Sequence, residues 1–248
     1  MQRRATSSPR AGSSATAKPA AAPAADIRAA LPRWDIERYR DHALKLAHEA
    51  RQILRAMQRG TFDVNTKGDG SPVTGADLAV EARLRALTLA AFPDHGQIGE
   101  EFPPHKPDAE FRWVFDPVDG TEDFVHRVPT FGCIIGLFYR GEPVVGVIEI
   151  PMLEERVSAA YGLGAFRDSL TVGNQRLRLD DFDPKTPVMA VRVMTSAPAN
   201  YVRRRDDAKR FDALVREYPN LRIYRSCFMH LCAATGQADA TVDYGNPL

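Results

Sequence analysis

The sequence predicts a mixed α/β domain, helices layered on sheets, and three observations carry that prediction. Apolar residues recur at helical spacing from Asp35 to Gly60 and again from about Gly75 to Ala91. Short apolar, β-prone segments parted by glycine-containing turns then run from Arg112 to about Tyr161. Helical and strand patterns alternate over the remainder. Hairpins among alternating helices and strands argue for a layered α/β or α+β arrangement. At 248 residues, 44% hydrophobic and 26% charged, the chain can bury a large core as one domain or as two coupled halves.

Composition excludes several function classes. No apolar run approaches the roughly 20 residues that a membrane helix needs. A formal net charge of +1 lacks the basic excess of a nucleic-acid surface. Cys133, Cys227 and Cys232 are odd in number and form no CxxC, and no histidine stands at zinc-ligand spacing. Three reduced, buried thiols in a cytoplasmic protein are expected. Residues 1–30 are rich in Ala, Ser, Pro and Arg, with no acid before Asp26. They read as a disordered tail ahead of a domain at 31–248, with an organelle targeting segment as the alternative.

Each element has its own signal. Ile36, Tyr39, Ala43, Leu46, Ala47, Ala50, Ile53, Leu54 and Met57 form one helical stripe, which Gly60 stops. A polar turn from Thr66 to Ser71 precedes Thr74, an N-cap with Asp77 three residues on. Locally, Asp77 needs no role beyond capping, and Lys67 and Asp69 none beyond the turn. GQIGEE reads as a short strand running into Glu100 and Glu101. FGCIIGLFYR, a turn at Gly141 and Glu142, and PVVGVIEI read as a hairpin. A strand from about Arg156 to Tyr161 leads into GLGAF, whose G-x-G has no following helix, so a nucleotide-binding reading is weak. Strands are expected at Val188–Met194, Leu221–Arg225 and Ala238–Val242. Helices are expected from Thr195 to Pro219, with Phe211, Leu214 and Val215 inward, and from Cys227 to Gln237.

The chemistry concentrates at RWVFDPVDGTEDF. Trp113, Val114 and Phe115 read as a strand buried on both faces that ends there, with Asp116 and Asp119 following at its mouth and Pro117 and Gly120 shaping the turn. Two ionised carboxylates held this close repel by several kcal/mol at low effective dielectric unless cations lie between them. From Asp94 to Asp123 nine acids face only Lys106 and Arg112. Local acidity on rigid elements suits a hard cation such as Mg²⁺; an acidic, solvated loop is the plain alternative.

DPVDGTEDF, the upstream IGEE and KGDGSPVTGAD together resemble the three ordered motifs of the inositol monophosphatase family, the Mg²⁺-dependent, lithium-sensitive sugar phosphatases. FVHRVPTFGCIIGL, VVGVIEIPMLEE, GLGAF and SCFMHLCAATGQADATVD continue the likeness, from about Ile36 to Leu248. The resemblance implies a layered αβαβα sandwich, commonly dimeric, that binds two or three Mg²⁺ ions and hydrolyses a small phosphorylated alcohol or sugar. It implies that Glu100, Asp116 and the Val118 carbonyl hold the first ion, and that Asp116 and Asp119 share the second. Thr121, oriented by Asp77, would position the attacking water with no covalent phosphoenzyme. Gly120 and Thr121 amides would receive the phosphate, with Asp119, Ser226 and Asp243 on the substrate side.

Three departures stand out against that pattern. Glu122 and Asp123 replace the usual Thr-Asn and add negative charge beside a phosphate site. Arg225 replaces a glycine just before Ser226, where it could grip an anion or narrow the pocket. The family continues past Asp243 to a Trp-Asp or Tyr-Asp pair whose Asp binds the second metal, whereas this sequence ends at Leu248. A weakened second metal site and lowered activity are the corresponding expectation. An inositol-phosphate substrate is the first reading, from FVHR. A histidinol-phosphatase reading follows from PTFGCIIGL with TSAP and from an acidic rim suited to an amine. The Lys-Glu that marks adenosine-bisphosphate members after D-G-T is absent. A non-catalytic, metal-poor homologue with a binding or regulatory role is the reading from another class.

Overall fold

The structure, a computed structural model, describes Ile27 and residues 29–60, 64–66, 72–181, 183–196 and 205–243. The first 26 residues of the expected tail, Lys67 and Asp69, residues 197–204 of the helix expected from Thr195, and the chain end at 244–248 lie outside the described residues, while Thr195 itself closes a strand instead of opening that helix.

Helix α1 (Arg33–Arg59) buries Ile36, Tyr39, Ala43, Leu46, Ala47, Ala50, Leu54 and Gln58, and Ile53 and Met57 are half-buried on the same face. The alanines keep that face flat, so the helix lies close against a sheet. Ile27 and Leu31, before the helix, are buried in the same core. Strands β1 (Val64–Thr66) and β2 (Pro72–Thr74) form an antiparallel pair. Helix α2 (Gly75–Ala91) starts on Thr74, whose hydroxyl accepts from the Ala76 N–H at 3.1 Å while Asp77 reaches back to the Thr74 N–H at 2.7 Å. The expected capping box is therefore formed.

A seven-stranded sheet follows in the order β3 (Gly96–Gly99), β4 (Phe111–Asp119), β5 (Gly132–Tyr139), β6 (Glu142–Ile150), β7 (Glu155–Ala160), β8 (Gly164–Ser169) and β9 (Gly173–Arg176). The β3–β4 pair is parallel and the others antiparallel. The short helix α3 (Thr121–Val125) lies between β4 and β5. Trp113, Phe115, Ile135, Leu137, Val145 and Val147 point to the face that α1 and α2 cover, making the main core. Val114 is half-buried on the other side. That second face forms an apolar groove of about 1220 Å³, lined among others by Ile134, Phe138, Ile148 and Leu177, which reaches Glu100 and Asp116.

Beyond the meander come a 3₁₀ turn at Val188–Ala190, β10 (Val193–Thr195), α4 (Arg205–Glu217), β11 (Arg222–Ile223), α5 (Phe228–Ala234) and β12 (Ala240–Val242). The last three strands form a separate parallel sheet ordered β11-β10-β12.

Several boundaries differ from expectation for local reasons. The hairpin turn falls at Arg140 and Gly141, with φ of 51° and 93°, one residue earlier than expected, and Tyr139 faces Glu142. Two successive positive φ values match the right-handed twist of the strands they join. Gly162 and Gly164, at φ 72° and 96°, turn β7 back into β8, so GLGAF opens a strand. Val188 begins a 3₁₀ turn because the Pro187 carbonyl takes the Ala190 N–H, and the strand is confined to β10. The strand expected at Leu221–Arg225 contracts to β11, and the helix at Cys227–Gln237 to α5. Val215 is exposed on α4; Phe211 and Leu214 are half-buried.

Candidate active site

The site grows from an irregularity in β4. Pairing with β5 shifts between Asp116, opposite Ile134, and Asp119, opposite Gly132. Pro117 cannot donate to the ladder, and the bulge lets both aspartates stay on a strand that runs on to Asp119 instead of ending near Phe115. Gly120 follows at φ 82°, and a Cβ there would lie 2.7 Å from the Ser226 Cβ. Glycine is thus required twice, by backbone angle and by close packing.

Asp77 meets this turn from α2. One of its oxygens accepts from the Thr74 hydroxyl and N–H, each at 2.7 Å, and the other lies 3.5 Å from the Thr121 hydroxyl. The same Thr121 hydroxyl is 3.0 Å from the Val118 carbonyl, the nearer acceptor. Asp77 therefore caps α2 and faces Thr121 at once.

The 225–227 segment is stitched to the same turn. The Cys227 N–H donates to Asp119, the Ser226 hydroxyl to the Thr130 carbonyl at 2.6 Å, and Arg225 pairs with Glu122. Thr130 in turn donates its hydroxyl to Asp123 at 2.6 Å. Both acids of the expected acidic rim are therefore engaged within the protein, and two of the three departures from the family pattern answer each other. Asp243 lies 3.7 Å from the His230 ring.

Electrostatics follow burial. The Asp119 carboxyl is pushed above the ordinary range mainly by desolvation and further by the charge of Glu100, while the Cys227 N–H and His230 pull it down. Cys133 and Cys227 are raised by burial and by Asp116 and Asp119, so both are protonated, inert thiols. All three cysteines are free and buried, as the sequence indicates.

Carboxylates and a backbone carbonyl make a hard donor set that fits Mg²⁺. The ionised form of Asp119, disfavoured by burial and further by the charge of Glu100, is what a cation would stabilise. Among the described residues no three His, Cys, Asp or Glu side chains close around one point, so water and substrate oxygens would complete any coordination shell.

Sequence reasoning missed Glu81, Gln58 and Thr130. Glu81 is wholly buried and accepts N–H bonds from Glu101 and Phe102, and the Gln58 amide donates to the Phe124 carbonyl at 2.6 Å. The sole signal for Glu81 was its place one turn after Asp77.

This fold and this turn define a class of α/β domain already seen in solved structures. The inositol monophosphatase of an Anabaena (Nostoc) species superposes with a TM-score of 0.71 over 86% of this chain and 77% of its own, at 26% identity. The model of the inositol monophosphatase family matches residues 35–247, and the chain belongs to that family. A histidinol-phosphatase of Chlorobaculum parvum is 36% identical over 204 residues, 81% of this chain and 74% of that protein. Inositol monophosphatase 2 of Solanum lycopersicum is 30% identical over 223 residues, 86% of this chain and 81% of that protein.

Proposed function

We propose that this chain hydrolyses a small phosphate monoester, with Mg²⁺ as cofactor and without a covalent intermediate. The register shift of β4 between Asp116 and Asp119, beside a left-handed Gly120, is the observation that supports the reading. Glu100, Asp116 and the Val118 carbonyl would hold one Mg²⁺, and Asp116 and Asp119 a second. When bound, the metal supplies charge neutralisation at the ester oxygens and acidifies water.

The chain's own groups do the rest. Asp77 is oriented by two bonds from Thr74, so its second oxygen is presented to Thr121 in a fixed direction. Thr121, between that oxygen and the Val118 carbonyl, orients the nucleophilic water and receives its proton's hydrogen bond. Gly120 and Thr121 amides take the phosphate, as amides at a glycine turn do. Cys227 and Ser226 hold the turn in place on its far side.

For the alcohol, a neutral polyol such as inositol 1-phosphate is the first candidate. Glu122 is paired with Arg225, so of the two acids on the rim Asp123, which accepts from the neutral Thr130 hydroxyl, keeps its charge unanswered and the attraction for an amine is reduced. Histidinol phosphate is the second, supported by the likeness to the Chlorobaculum histidinol-phosphatase. Phosphate release on both compounds tests the choice, with Arg225→Ala beside the wild type. The expected result is preference for inositol 1-phosphate in the wild type and a shift toward histidinol phosphate in the variant, where Glu122 is exposed. Preference for histidinol phosphate in the wild type would reverse the order.

A further inference from the structure

We propose that Glu81 and Arg85 form a clamp that presents Glu100 to the cation, an inference that rests on the metal reading above. Asp77, Glu81 and Arg85 succeed one another four residues apart, so they share one face of α2. Asp77 faces the Thr121 turn. The next two residues grip the other half of the site, the backbone that follows β3.

Glu81 is wholly buried, and its carboxylate accepts from the Glu101 N–H at 2.8 Å and the Phe102 N–H at 3.3 Å. Arg85 donates its Nε to Glu81 at 2.7 Å, and its two Nη groups to the carbonyls of Phe102 at 3.0 Å and Pro103 at 3.2 Å. One ion pair thus holds the loop by its amides and by its carbonyls. Gly99 completes the fit: a Cβ there would stand 2.2 Å from a Glu81 oxygen, so the carboxylate fills the place of a side chain. Glu100 lies between these two fixed points, Gly99 and the Glu101 amide. A buried pair serving only the core has no reason to engage the loop on both sides of a ligand, whereas partners that orient metal ligands govern affinity.

The test is a calorimetric Mg²⁺ titration of the full chain, comparing wild type with Glu81→Gln, Arg85→Gln and the double variant. The double variant replaces the charges by two amides and leaves neither ion alone, which guards against loss of the fold. Thermal unfolding without Mg²⁺ and hydrogen exchange at the Glu101 and Phe102 amides are measured alongside. The clamp predicts Mg²⁺ affinity weakened about tenfold or more in every variant that folds, with faster exchange at both amides. Wild-type affinity in variants whose metal-free unfolding temperature alone has dropped would overturn the clamp and leave the metal reading intact. No Mg²⁺ binding by the wild type would overturn both.

Discussion

At the scale of single residues, the account turns on positions where one atom decides. Gly120→Ala would have to hold φ near 82° and place its Cβ 2.7 Å from that of Ser226. It is expected to lose about 1–3 kcal/mol by urea denaturation, along with phosphate release. Gln58→Ala removes the side-chain donor to the Phe124 carbonyl, which keeps its bond from the Arg127 N–H at 3.2 Å, and is expected to cost about 0.5–1.5 kcal/mol in the same measurement while sparing turnover. Asp116, Asp119 and Gly120 stand out as candidates in the sequence because their types and spacing are local, whereas Asp77, Glu100 and Thr121 are candidates through the family resemblance. Glu81 was not legible, because an acid on a helix reads as solvated until the loop it meets is known. The Glu122–Arg225 pair joins residues 103 apart, a separation that no local pattern encodes.

At the scale of elements, strong periodicity read true and weak periodicity did not. The α1 stripe, the β5–β6 hairpin and the α2 cap all carry dense local signals, and each formed within a residue or two of expectation. Strands β8 and β9 passed unnoticed: GAFRDS and GNQR show no alternation of apolar and polar residues, and their pairing comes from neighbours in the sheet. The packing of α1 also sets a prediction. Leu46 is wholly buried against the sheet, so Leu46→Ala is expected to cost about 2–5 kcal/mol in chemical denaturation.

At the scale of the whole molecule, the layered α/β architecture was legible, while the division into a seven-stranded and a three-stranded sheet needed tertiary pairing to decide it. Acid stability reports on the main core. His42 and His95 pack in one aromatic cluster with Phe92 and Trp113, and burial lowers both to about 4, from the ordinary histidine value of 6.5. Between those values the unfolded chain binds more protons than the folded one, so stability falls as pH drops from about 6.5 toward 4. Urea midpoints over that range should decline, and His95→Phe, which also removes the acceptor of the Trp113 indole N–H, should flatten the decline. No described helix is long and apolar enough to cross a membrane. The central claim is tested most directly by phosphate release from inositol 1-phosphate as Mg²⁺ is titrated, beside Asp119→Asn. Release that rises with Mg²⁺ and falls at least about a hundredfold in the variant is predicted. Release indifferent to Mg²⁺, or retained in Asp119→Asn, would contradict it.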